Sequence, residues 1–206
     1  DRERVKKPID QLVMRKLRDS GFTPAATGGK RTLIRRATFD LIGLPPTVSE
    51  VQDFLNDESA GAFAKVVERL LNSPQYGERW GRHWLDLVRY ANTNGADENH
   101  SLPNAWKYRD WVIRKLNGDL PMDEFIVQQL AGDLLPVPED EEAAGDLLTA
   151  TGMLVLGPKM LAEQDKDKMT IDIVDEQIDT VSRTMLGLTV GCARCHDHKF
   201  DPISAE

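Results

Sequence analysis

Ser73-Pro74-Gln75-Tyr76-Gly77-Glu78-Arg79-Trp80-Gly81-Arg82-His83-Trp84-Leu85-Asp86-Leu87-Val88-Arg89-Tyr90-Ala91 is the stretch whose reading decides the fold. Ser73 followed by Pro74 is a cap and a first-turn proline, the punctuation that starts a helix. From about 75 to 92, Tyr76, Trp80, Trp84, Leu87, Val88 and Ala91 recur at intervals of three and four and form one stripe. All four tryptophans lie between Trp80 and Trp111, so this region is expected to anchor the core. His83 stands at the edge of the stripe, one turn from Trp80 and from Leu87. The plain reading is a packed histidine bonded to a neighbour. It is also the best placed remote imidazole for a metal.

The same punctuation continues in both directions. Upstream, Pro8 opens a helix over 8–19 with Ile9, Leu12, Val13 and Leu17 on one face. A loop follows from Thr23 to Lys30. Leu33, Ile34, Ala37, Leu41 and Ile42 then mark a helix over 31–42, stopped by Gly43 and Pro45-Pro46. Thr47 and Glu50 form a capping box ahead of Val51, Phe54 and Leu55, and a helix runs from about Ala60 to Leu71. Downstream, Asn92 to Leu102 is a polar loop. Pro103 opens a helix whose Trp106, Tyr108, Trp111, Val112, Ile113 and Leu116 point nearly all round, as in a buried helix. Further helices are expected from Asp119 to Gly132 and from Ala143 to Leu156, with an acidic, proline-containing linker at 136–142 between them. Met169 to Leu188 carries Ile171, Val174, Ile178, Val181, Met185 and Leu188 on one face. Asp172, Asp175, Glu176 and Asp179 lie in a narrow arc beside it. That arc reads as a solvated face, and the apolar face as the one that docks the C-terminal segment on the core. The expected architecture is all-α: a single helical domain over 1–206, an irregular, orthogonal multi-helix bundle with long loops.

That last helix leads into Gly191-Cys192-Ala193-Arg194-Cys195-His196-Asp197-His198-Lys199-Phe200-Asp201-Pro202, the centre of a C-terminal segment at 190–203. Both cysteines of the chain are here. C-x-x-C-H is the pattern that attaches a c-type haem, two thiols meeting the vinyl groups and the next imidazole ligating iron. Cys192, Cys195 and His196 are thus the candidate haem-binding residues, with Arg194 and Lys199 as partners for the propionates. A tetrahedral zinc built from the two cysteines with His196, His198 or the remote His83 also fits the bare motif. So do a redox dithiol and a small disulfide. The rival reading is a non-redox structural or carbohydrate-surface module in which that zinc pins the C-terminal segment, and a third is acid–base chemistry by Asp175, Glu176 and Asp179 near the metal.

With 206 residues, 40% of them hydrophobic, the chain can bury one sizeable core or two small ones. A net charge of −8 and the lack of any basic run exclude a nucleic-acid partner from the expectations. No apolar run approaches the length of a membrane span. The chain begins at Asp1 without an initiator methionine, and reads as a piece of a larger protein.

Several phrases taken in order carry a family resemblance: Leu41-Ile42-Gly43-Leu44-Pro45-Pro46-Thr47, Tyr76 to Asp86, Tyr108 to Ile113, Gln129 to Pro136, and Gly191 to Ile203. Together they resemble a planctomycete-specific, cytochrome-associated domain of unknown function, the PSCyt-two type, over nearly the whole chain. The resemblance implies a domain of a large exported protein, in an extracytoplasmic setting, with a cytochrome c domain among its neighbours. It implies the haem role for Cys192, Cys195 and His196. Only ten residues come after His196, so a second iron ligand is sought upstream, among His83, His100, Met153, Met160 and Met169, or in another domain.

Overall fold

The computed structural model describes residues 7–96 and 98–205; Asp97, part of the polar-loop reading, lies outside them, as do residues 1–6 and Glu206. Among the described residues the secondary structure is helical, with one isolated β-bridge between Thr93 and Ser101 inside the polar loop. The all-α expectation holds.

Helices α1 (Pro8–Asp19), α2 (Lys30–Ile42), α3 (Val48–Asn56) and α4 (Ala62–Leu71) begin and end close to where the sequence marks them. Thr47 Oγ1 accepts from the Glu50 amide while Glu50 accepts from the Thr47 amide at 2.7 Å, so the capping box is closed. Lys30 Nζ donates to the carbonyls of Phe54, Leu55 and Asp57, which satisfies the end of α3 from across the bundle. Ile34, Phe54, Ala62, Val66 and Leu70 form a first hydrophobic core. Helix α1 differs from expectation. None of its residues is buried, and its face of Ile9, Leu12 and Val13 is solvent-facing.

Helix α5 (Pro74–Leu87) packs against α6 (Ala105–Asn117), and the contact corrects the predicted stripe. The buried edge of α5 runs through Gly77 and Gly81 to Val88, while Trp80 and Leu87 face solvent. A Cβ on Gly77 would stand 2.5 Å from the Ile113 carbonyl, so only glycine admits this helix–helix approach. The helix stops five residues short of the predicted end because Arg89 adopts a left-handed φ of 52°, which cannot continue an α-helix. Nor is α6 buried all round, since Trp106 is exposed.

A second core joins Val88, Ala105, Tyr108, Trp111, Val112, Phe125, Ala150, Met153 and Leu156. It is closed by α7 (Met122–Ala131, continued as a 3₁₀ turn to Leu134), α8 (Glu141–Ala150) and α9 (Gly152–Val155). The expected single helix over 143–156 is therefore two, broken at Thr151. Trp111 and Phe125 stack with centroids 5.2 Å apart, and Trp84 meets Phe125 edge-on at 4.9 Å. Gln129, fully buried, accepts from Trp84 Nε1 and Tyr108 Oη and donates to the Phe125 carbonyl. This polar knot satisfies groups that would be costly to bury unpaired. Burial also pushes the Tyr108 hydroxyl far above the ordinary phenol range.

Helix α10 (Lys166–Val181) passes into a π-helical turn over Ser182–Leu186. Arg89 clasps it to the second core. The guanidinium pairs with Glu176 in two bonds and donates to the carbonyls of Val88 and Met153. The predicted apolar face docks only at its C-terminal end: Val181 and Met185 pack against the second core, whereas Ile171, Val174 and Ile178 are all about half exposed or more.

Candidate functional site

The C-terminal segment is carried by the carboxylate arc of α10, not by its apolar face. After the π turn, Gly187 takes a left-handed φ of 68° and the chain doubles back into a 3₁₀ turn, Val190–Arg194. Asp179 accepts from the Gly191 amide at 3.0 Å. Arg194 spans Asp175 and Asp172, donating to each at 2.7 Å. Ala193, between the cysteines, is 8% exposed and anchors the turn. Asp172 titrates below the usual carboxylate range because Lys168 and Arg194 both donate to it. Spacing showed the arc of 172, 175 and 179, but not that a single arginine fifteen residues beyond it would fold back upon it.

These contacts put three other expectations in place. Arg194, read as a propionate partner, is engaged by two aspartates, and Lys199 lies over the Phe200 ring. The arc is not a free solvated face. Asp175, Glu176 and Asp179, the acid–base candidates, are paired with Arg194, Arg89 and Arg183 respectively.

Cys192 and Cys195 are unbridged and exposed. His196 is exposed, and its Nδ1 lies 2.9 Å from the Asp197 carbonyl. A carbonyl only accepts, so Nδ1 carries a proton, and in the neutral ring Nε2 keeps a lone pair directed away from that bond. This is the arrangement by which a backbone carbonyl orients a ligating histidine.

His198 is used differently. Its side chain is 8% exposed. Nδ1 accepts from the amides of Phe200 (3.2 Å) and Asp201 (2.8 Å), which leaves Nε2–H to donate to Thr189 Oγ1 at 2.9 Å. Both ring nitrogens are therefore taken up in folding the loop. The His198 amide bonds the Ile203 carbonyl, and Asp197 accepts from the Ala205 amide, closing the same loop. His83 stands exposed on α5 with its ring 5.4 Å from that of Trp80. Among the described residues, no three His, Cys, Asp or Glu side chains converge as a metal cluster. Of the candidate second ligands, Met153 is fully buried in the second core, Met160 is half exposed, and His100 pairs with Glu98.

Compared with known proteins, residues 8–206 match the family model described as a protein of unknown function (DUF1549), PSCyt2. The chain belongs to this family. No curated protein and no solved structure gives a match. In this DUF1549 chain the C-x-x-C-H turn is a presented feature: two free thiols and one oriented imidazole on a segment pinned from beneath.

Proposed function

We propose that this DUF1549 domain carries one covalently attached c-type haem and passes electrons to or from other domains of an exported parent protein, a cytochrome c domain among them. Cys192 and Cys195 would be the attachment points, and His196 Nε2 would ligate the iron. Bound there, a haem supplies a one-electron couple. The observation that carries the reading is that both thiols are free and solvent-facing on one turn, while the His196 Nδ1–Asp197 bond leaves Nε2 open.

The donor chemistry fits the group. A closed zinc site needs all of its ligand atoms within about 2.0–2.3 Å of one point. Thioether attachment asks the cysteines only to reach the porphyrin edge, so non-convergent side chains suit it better. The chain's own contribution is rigidity: Arg194 on Asp172 and Asp175, and Asp179 on Gly191, hold the turn, and His198 folds the residues behind it. An extracytoplasmic location is part of the proposal, because covalent haem attachment takes place there.

The test is expression through an exported route with a cytochrome c maturation system, read by haem stain after denaturing electrophoresis and by the pyridine haemochrome spectrum, with metal analysis on the same sample. Haem that survives denaturation and is lost in Cys192→Ser and Cys195→Ser is the expected result. A colourless protein holding stoichiometric zinc would overturn it.

A further inference from the structure

A groove of about 850 Å³ opens between α2, α4 and α5, built from residues other than those of the C-terminal segment. Leu33 and Phe39 of α2 and Phe63 and Val67 of α4 give it apolar walls. Its charged groups are Arg35, Arg36 and Asp40 from α2 and Arg79 from α5, three cations against one carboxylate in a chain of net charge −8.

Arg79 is the unusual member. Its stem lies across Gly43, the left-handed residue (φ 73°) that ends α2, and a Cβ at Gly43 would stand 2.9 Å from Arg79 Cδ. That close approach buries Arg79 Nε, which has no hydrogen-bond partner among the described residues. Nε is thereby closed to a ligand, and the donors Arg79 offers an anion in the groove are its terminal amino groups. Arg36 has no acid partner among the described residues, whereas Arg35 lies over the Phe39 ring, 4.9 Å from its centroid.

We propose that this groove binds a small amphipathic monocarboxylate, its head on Arg79 and Arg36 and its apolar body against Leu33, Phe63 and Val67. The planar guanidinium matches a carboxylate bidentately. Asp40 in the same lining disfavours more highly charged anions. A concavity of this size, mostly apolar with a few polar groups, falls in the range of small-molecule sites, roughly 300–1,000 Å³.

The probe is octanoate, titrated calorimetrically into the 206-residue chain, with octanol and octyltrimethylammonium as controls of the same tail. Octanoate is expected to saturate at one equivalent, and octanol to bind at least about tenfold more weakly, since it cannot form the charge-assisted bonds. Arg79→Lys, which keeps the charge but loses the planar fork, and Arg36→Gln should each weaken octanoate by about tenfold. Circular dichroism reports whether either variant is folded; Arg36 is exposed on α2, so Arg36→Gln carries the test if Arg79→Lys unfolds. Equal binding of octanoate and octanol, unchanged binding in the folded variants, or no saturable binding would each overturn the proposal.

Discussion

Replacing Arg89 by alanine is expected to destabilise the fold by about 2–3 kcal/mol. The side chains of Arg89 and Glu176 are 20% and 24% exposed, and they pair through two bonds. Removing one partner of a fully buried pair costs about 3–5 kcal/mol, chiefly because the other charge is stranded. Water reaching about a fifth of each side chain lowers that figure to the one given. The same substitution also leaves the Met153 carbonyl without its donor at 2.9 Å. For a chain of this length the melting temperature should fall by about 4–12 °C, and denaturant unfolding monitored by tryptophan fluorescence gives the free energy directly. A companion substitution sharpens the test. Arg89 has φ 52°, so Arg89→Gly relieves backbone strain that Arg89→Ala retains. Glycine should therefore be the more stable of the two by about 0.5–1 kcal/mol, after its larger unfolded-state entropy is set against the relief. A loss below about 1 kcal/mol for Arg89→Ala, or alanine proving the better replacement, would refute the clasp as described.

Three further outcomes are expected. Gly77→Ala should cost about 1–3 kcal/mol by forcing α5 off α6, whereas Gly145→Ala, exposed on α8 with no atom within 4 Å of the new methyl, should stabilise by about 0.5–1 kcal/mol; thermal melts separate the two. Burial lowers the Lys159 amine below the ordinary lysine value, with Arg89 adding to the shift and Glu176 opposing it. The folded state thus holds that proton less tightly than the unfolded one, so the penalty is complete at neutral pH and fades as pH rises from the lowered value toward the ordinary one. Lys159→Met should accordingly raise stability at neutral pH by more than it does in alkali, and denaturation midpoints of the two proteins across that range check the sign. His198→Ala removes the acceptor for the Phe200 and Asp201 amides; hydrogen exchange should quicken over 196–205 while the melting temperature barely moves, and a global loss of stability would show that the loop is not a local unit.

Much of the helical skeleton was legible because its signals are local. Pro8, Gly43, the Thr47–Glu50 box and Pro74 act within three or four residues of themselves, and the structure places α1 to α5 accordingly, although the Ser73 side chain makes no capping bond. Of the ends misjudged, at Arg89 and Thr151, the first is one where a tertiary contact accompanies the break in periodicity. At Arg89 the guanidinium reaches Glu176 eighty-seven residues on. At the C-terminal segment, the motif Cys192, Cys195 and His196 was visible in the letters, but the fate of His198 was not, because Thr189 becomes its neighbour only once the chain has turned.

Periodicity by itself determined which residues share a helix face, and spacing determined that two thiols and an imidazole lie on one turn. Which face meets a neighbour was decided only by the tertiary structure. Ile171, Val174 and Ile178 read as a docking face, yet the carboxylates beside them take that part. The physical reason is that burial belongs to the partner surface as much as to the helix. A stripe buries only if an opposing surface of matching shape arrives, and Arg194 and the Gly191 amide arrived at the aspartates instead.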